Sequence, residues 1–111
     1  MQAIKRGEVW WVSFDPALGG EVRKTRPAVV MSNNAANAVL NRVVVIPLSS
    51  QTSKLYPGEA RVQVEGRKSK AMADQVMAAS KERLRSRMGA LSPLDLKAVE
   101  DAILVQLGIR R

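Results

Sequence analysis

The chain contains neither cysteine nor histidine. Without cysteine there is no disulfide framework and no thiolate zinc site. Without histidine the Ser-His-Asp and Cys-His triads and the histidine-dependent metal sites are excluded. The usual acid and base of small ribonucleases go with them. Aromatic residues are scarce, two Trp, one Tyr and one Phe, which is too few for the base-stacking platform of an RNA-recognition domain. The ten Asp and Glu are scattered, and no motif gathers three on one surface, so neither a metal ion nor a cofactor is expected. No run of about 18 apolar residues exists to span a membrane. Met1 to Gly7 is polar and basic, with no apolar segment after it. The chain therefore reads as a cytoplasmic protein.

What is abundant is positive charge. Eighteen Lys and Arg give a net charge of +8, the electrostatic footprint of a nucleic-acid binder. A basic face for an acidic protein partner is the alternative. With 111 residues, 46% of them hydrophobic, residues 1–111 form one domain with one core. A domain this small leaves much surface exposed, so a second copy would help it.

Glu8 to Phe14 is aromatic and β-branched and predicts a strand, with Trp10, Val12 and Phe14 on one face. Asp15-Pro16 ends it and Gly19-Gly20 marks a loop. Pro27 to Asn33 reads as a second strand, with Arg26 immediately before it. Asn34 to Asn41 suits a short helical turn. Arg42 to Ser50 is the clearest buried strand, with Pro47 marking an edge or bulge. Glu59 to Val64 alternates as a half-exposed strand does. Gly66 turns the chain, and Ala71 to Ala79 is a weaker strand candidate. In Lys81 to Met88, Lys81, Arg83, Arg85 and Arg87 share one face if the segment is extended and scatter if it is helical. Ser92 caps a final helix with Pro93 at its first position and Asp95 completing a capping-box-like pair. Leu96, Val99, Ile103 and Leu107 give that helix an apolar stripe, and Gly108 stops it. Strands followed by one amphipathic helix predict an α+β, mainly β domain or a small barrel.

Three polar clusters are candidate sites. The first is the loop from Gly19 through Glu21, Arg23 and Lys24 to Arg26. It is either a solvated loop with a surface ion pair or a functional segment whose arginine is held extended by the following Pro27. The second is Ser49-Ser50-Gln51, either strand-end hydrogen bonding or a phosphate and base contact. The third is Asp74-Gln75, either a turn or a base contact through the Gln75 amide.

At these residues the chain resembles the MazF/PemK family of toxin endoribonucleases. Lys5-Arg6-Gly7-Glu8-Val9-Trp10 resembles the family's basic-Arg-Gly-acidic opening. Pro16 through Gly19-Gly20-Glu21 is similar to its Pro…Gly-Ser/Gly-Glu loop. Thr25-Arg26-Pro27-Ala28-Val29-Val30 matches its Arg-Pro-hydrophobic signature. Val44 to Gln51 resembles its strand ending in Ser or Thr, and Asp74-Gln75-Val76 its Asp/Glu-Gln-hydrophobic element. Arg83-Leu84 with Gly89-Ala90-Leu91 and a terminal helix completes the order. The resemblance implies a small SH3-like barrel with a C-terminal helix, a homodimer, cleavage of single-stranded RNA at short motifs, and neutralisation by a cognate MazE-like antitoxin. It assigns catalysis to Arg26 and Ser49, with Ser50 as the register alternative. Glu21 and Gln75 then shape the site or touch RNA, and Arg23, Lys24, Gln51 and Lys54 are candidate RNA contacts. Many members carry an arginine two residues after the Gln; here that position is Met77.

A ribonuclease without metal or histidine is physically possible because RNA supplies its own 2′-hydroxyl nucleophile. The protein must orient that group and stabilise the charged phosphorane, and the planar fork of an arginine matches two phosphate oxygens. Two other functions fit the same architecture: a CcdB-type gyrase poison, and a nucleic-acid-binding barrel without catalysis. The chain ends Gly108-Ile109-Arg110-Arg111, without the tryptophan of the gyrase poisons.

Overall fold

The computed structural model describes residues 3–16, 18–21 and 24–110. Strand β1 (Glu8–Ser13) runs antiparallel to β2 (Thr25–Val30), with Trp10 opposite Ala28 and Val12 opposite Arg26. The short helix α1 (Asn34–Val39) follows, capped by the Asn33 side chain on the Ala36 amide, and leads into β3 (Arg42–Ser49). A hairpin of β4 (Glu59–Val64) and β5 (Arg67–Met72) comes next, then β6 (Met77–Ser80), β7 (Leu84–Ala90) and α2 (Pro93–Leu107). The strand order is β4-β5-β3-β2-β1-β7, with β6 also paired to β3, all antiparallel. The result is the expected mainly β domain: a curled antiparallel sheet carrying one C-terminal helix.

Alternation buries both faces of this sheet. Trp10, Val12 and Phe14 join Ala28, Val30, Val43 and Val45 on one face. Val9, Val29, Ile46 and Leu48 pack on the other against Val99 and Ala102 of α2. Irregularities at Trp10 shift the β1–β7 register, and such bulges increase the local bend. The curl brings β7 back toward β4 at Gly89, where a Cβ would stand 3.1 Å from Val64 Cγ2, so any larger residue would need Val64 to shift.

Several local expectations shift. β2 starts two residues earlier than the apolar run suggests, so Arg26 lies inside the strand rather than before it, and the strand ends at Val30. The polar stretch Arg67–Met72 forms β5, an unforeseen strand. Glu65 and Gly66 both have positive φ, +50° and +74°, the geometry that joins hairpin strands in a two-residue turn. The candidate strand Ala71 to Ala79 is broken by a 3₁₀ turn at Ala73–Gln75. That turn has a cause in β3. Leu48 and Ser49 pair with Ala71 and Lys70 of β5, while Arg42 to Val45 pair with Ser80 to Met77 of β6. Both partners share one edge of β3. The amide of Val44 points to the opposite edge, where it meets Ser32 Oγ at 2.9 Å. By alternation Pro47 faces the β5–β6 edge, where it has no N–H to offer. The ladder breaks there and three extra residues loop out.

In α2, Ser92 Oγ accepts from the Asp95 amide at 3.1 Å as expected, but the Asp95 carboxylate accepts from the Gln63 amide of β4 at 2.9 Å. Half of the capping box is thus spent on docking helix to sheet. Gly108 closes the helix with φ +69°. Val99 is fully buried and Leu96 and Ile103 pack against the core, whereas Leu107 is exposed rather than part of the buried stripe.

Candidate nucleic-acid interface

Arg26 and Ser49 come from strands 23 positions apart in sequence, and the β2–β3 ladder is what relates them. Ala28 pairs with Pro47, Val29 with Ile46 and Val30 with Val45. Beyond Ala28 and Pro47 both strands run on, β2 back to Arg26 and β3 forward to Ser49. Both residues line a groove of about 570 Å³, together with Lys24 and Ser50. Its remaining polar wall is Thr25 of β2 with Arg67, Lys68 and Ser69 of β5, and Trp11 and Met88 supply apolar wall. Among the described residues four cations line the groove and no carboxylate does. Such a concentration of one sign favours an anionic ligand.

Ser49 Oγ accepts from the Gln51 amide at 3.1 Å. This strand-end turn fixes the oxygen through a lone pair and leaves the hydroxyl proton to be donated. Gln51 therefore enters through its backbone, holding Ser49. Lys54 likewise contributes a backbone carbonyl, which accepts from Lys70 Nζ at 3.0 Å.

The other candidates lie elsewhere. Glu21 and Gln75 line a separate pocket of about 460 Å³ with Phe14, Pro47, Met77 and Arg83. Asp74 also lines it, so this pocket holds two carboxylates and one cation, the opposite balance to the groove. Glu21 Oε1 accepts from the Leu18 amide at 2.7 Å, closing a turn in the β1–β2 loop. The structure brings Arg26, Ser49, Ser50 and Lys24 together and sets Glu21 and Gln75 apart from them. Arg23 lies outside the described residues. Met77, where many members of the family resembled carry arginine, faces this second pocket.

Of the charged row at Lys81 to Arg87, each member is tied to the scaffold. Lys81 Nζ donates to the Asn37 carbonyl, and Arg83 donates to the Ser13 and Asp15 carbonyls at 3.1 and 2.8 Å. Arg85 reaches the Glu82 carbonyl, and Arg87 pairs with Glu8 at 2.8 Å. Lys81 and Arg83 belong to a 3₁₀ turn rather than to a strand, so the four do not form one row. Burial alone would raise the Glu8 carboxyl. Hydrogen bonds from the Lys5 amide, the Trp10 indole and Arg87, with the charge of Arg87, outweigh it and hold the group below its ordinary value.

Arg6, just before β1, performs a similar task, donating to the Met31 carbonyl at 3.1 Å and pairing with Glu100 of α2. Lys70 is the most buried cation among the described residues. Its ammonium lies 3.0 Å from Glu59 Oε1 and 5.3 Å from the centre of the Tyr56 ring. Sequence reading did not single it out, because a lysine between Ser69 and Ala71 carries no local mark of burial. Among the described residues no three of His, Cys, Asp and Glu gather where they could hold a metal ion, and no helix is long and apolar enough to cross a membrane.

Comparison with known proteins gives this geometry a family. Residues 5–107 match the family described as PemK-like, MazF-like toxin of type II toxin-antitoxin system. The chain is 35% identical over 118 residues, 96% of its length and 98% of the relative's, to "Endoribonuclease MazF9" of Mycobacterium tuberculosis (strain ATCC 25618 / H37Rv). It is also 35% identical over 103 residues, 92% of each chain, to "Endoribonuclease toxin MazF" of Escherichia coli (strain K12). Its fold is similar to a crystal structure of MazF from Deinococcus radiodurans, with a TM-score of 0.85 and 24% identity over 98% of this chain and 100% of that one. A mycobacterial endoribonuclease in complex with its cognate antitoxin superposes with a TM-score of 0.82, at 22% identity over 98% of this chain and 99% of that one. The chain belongs to the PemK-like, MazF-like toxin family of type II toxin–antitoxin systems.

Proposed function

We propose that this chain is an endoribonuclease toxin that cuts single-stranded RNA, mRNA in the cell, without a metal ion, and so inhibits translation. The observation that carries the reading is the groove itself: Arg26 and Ser49 line one cavity whose described residues include three further cations and no carboxylate. The 2′-hydroxyl of the RNA gives up its proton to solvent and attacks the adjacent phosphorus, the P–O5′ bond breaks as the 2′,3′-cyclic phosphate forms, and the departing 5′-oxygen takes up a proton to become the 5′-hydroxyl. Arg26 stabilises the phosphorane through its bidentate fork, and its protonated state at neutral pH suits it to that role rather than to a general base. Ser49, oriented by the Gln51 amide, donates to a phosphate oxygen, with Ser50 alongside. Each such donor is typically worth about 10²–10³ in rate. Lys24 binds a flanking phosphate, and Glu21 and Gln75 contact RNA from the neighbouring pocket. The active form is a homodimer in the cytoplasm, neutralised by a cognate MazE-like antitoxin that covers the groove.

Incubating a long single-stranded transcript with the protein in EDTA tests this. Cleavage leaving 2′,3′-cyclic phosphate and 5′-hydroxyl ends is expected. No cleavage, or 5′-phosphate ends, would refute it.

A further inference from the structure

The described cations differ in how they are held. Arg6, Lys70, Lys81, Arg83, Arg85, Arg87 and Lys97 are each bonded to a carboxylate or a backbone carbonyl. Lys5, Lys24, Lys54, Arg67, Lys68 and Arg110 make no side-chain hydrogen bond or ion pair with another described residue, and all six are exposed. Of these, Lys24, Arg67 and Lys68 line the Arg26–Ser49 groove. Lys68 and Ser69 also line an adjoining pocket of about 460 Å³ between β4 and the start of α2, whose other polar wall includes Thr52, Arg61 and Asp95. The Asp95 carboxylate there is already bonded to the Gln63 amide. Arg61 meets only the Thr52 carbonyl, at 3.5 Å, which is at the limit of a hydrogen bond. The two cavities thus adjoin at β5, with Lys68 and Ser69 in the wall of both, and Ser49 pairs with Lys70 in the middle of that strand.

Resting on the ribonuclease reading, we infer that β5 is a second RNA subsite. The single strand leaves the Arg26–Ser49 groove across β5, with Arg67 and Lys68 neutralising successive phosphates and Arg61 receiving the chain beyond. An exposed cation left without an intramolecular partner keeps its charge available for a phosphate and releases a counterion on binding. The bonded cations of β7 cannot do this without breaking scaffold contacts. RNA is favoured over an acidic peptide because the row is continuous with the groove in which the scissile phosphate would sit.

The test is an anisotropy titration of labelled 2′-O-methyl oligouridine, which lacks the nucleophile, over a range of NaCl concentrations in EDTA. The same preparations are assayed for cutting a long transcript. Each phosphate contact on a single strand contributes about 0.7 to the log–log salt slope. Arg67→Ala/Lys68→Ala should therefore reduce the slope by about 1.4, and weaken binding about 25-fold at 0.1 M salt with the loss vanishing toward 1 M. For the transcript the double variant should raise KM and leave kcat intact, as loss of uniform binding does. Arg42→Ala, at the start of β3 away from the groove, should leave the slope unchanged. If wild type cuts the transcript while the double variant keeps the wild-type slope, the subsite is refuted and the ribonuclease reading survives. Loss of polyglutamate binding with an unchanged RNA slope would also refute it, in favour of an acidic partner. If wild type neither binds the oligonucleotide nor cuts the transcript, the ribonuclease reading itself falls.

Discussion

Replacing Glu59 by alanine should come close to unfolding this protein. Lys70 Nζ lies 3.0 Å from Glu59 Oε1, and the two side chains are only 8% and 9% exposed. The same carboxylate oxygen accepts from the Tyr56 amide at 2.8 Å. Without it the ammonium keeps one carbonyl, from Lys54, and the Tyr56 ring face. Removing one partner of a buried pair costs about 3–5 kcal/mol, because an uncompensated charge stays in the interior. Against a total stability of about 5–15 kcal/mol that is a large share. At about 4–6 °C per kcal/mol for a domain of this size, the melting temperature should fall by about 12–30 °C. Lys70→Met should be similarly costly, since it leaves the carboxylate unpaired. Glu59→Leu/Lys70→Met should recover much of the loss, because apolar replacements of both partners are often neutral. Urea unfolding of wild type, Glu59→Leu, Lys70→Met and the double variant closes the cycle. A cost for Glu59→Ala below about 1 kcal/mol would refute the reasoning, since it would mean the pair behaves as an exposed one.

Three further outcomes follow from the site and its supports. Arg26→Lys should retain most RNA affinity and lose about 10²–10³ in turnover, because a point charge cannot replace the fork at two phosphate oxygens; single-turnover cleavage at wild-type rate would contradict it. Ser49→Ala should lower turnover by a comparable factor, and Ser50→Ala by much less, since only Ser49 Oγ is fixed by the Gln51 amide; equal losses would remove the distinction. The Glu8 carboxyl titrates below its ordinary 4.5 in the folded chain. Its contribution to stability is therefore complete above about pH 4.5 and lost as pH falls through the lower folded value. Glu8→Gln should flatten the acid limb of a stability-versus-pH curve, and an unchanged limb would contradict the assignment.

Strong local periodicity made part of this structure readable. The aromatic alternation of β1, the β-branched run of β3, the alternating β4 and the Ser92–Gly108 limits of α2 all lie where their residues suggest. β5 escaped because Arg67, Lys68 and Ser69 are polar and its burial comes from the strands beside it. Its signal was the Glu65–Gly66 turn, obscured by a glutamate at positive φ. The alternating basic residues from Lys81 to Arg87 look like a binding row, yet their partners are carbonyls and a carboxylate more than 40 positions away in three cases of four. Only tertiary structure reveals that. The meeting of Arg26 and Ser49 in one groove is of the same kind. Motif resemblance proposed both residues, and the β2–β3 register supplies their neighbourhood. The separation of Glu21 and Gln75 into another pocket has no counterpart in sequence spacing.

The turn at Ala73–Gln75 has an arithmetic of its own. β5 leaves β3 in one phase and β6 rejoins it three residues later in another. β6 then presents Ala79 to the core and Met77, Ala78 and Ser80 outward. Lengthening or shortening the turn by one residue would invert β6, driving Ser80 inward and expelling Ala79. Changes in steps of two preserve the phase. The pocket wall formed by Asp74, Gln75 and Met77 can therefore be remodelled only in quantised increments of backbone, or by exchanging side chains at fixed length.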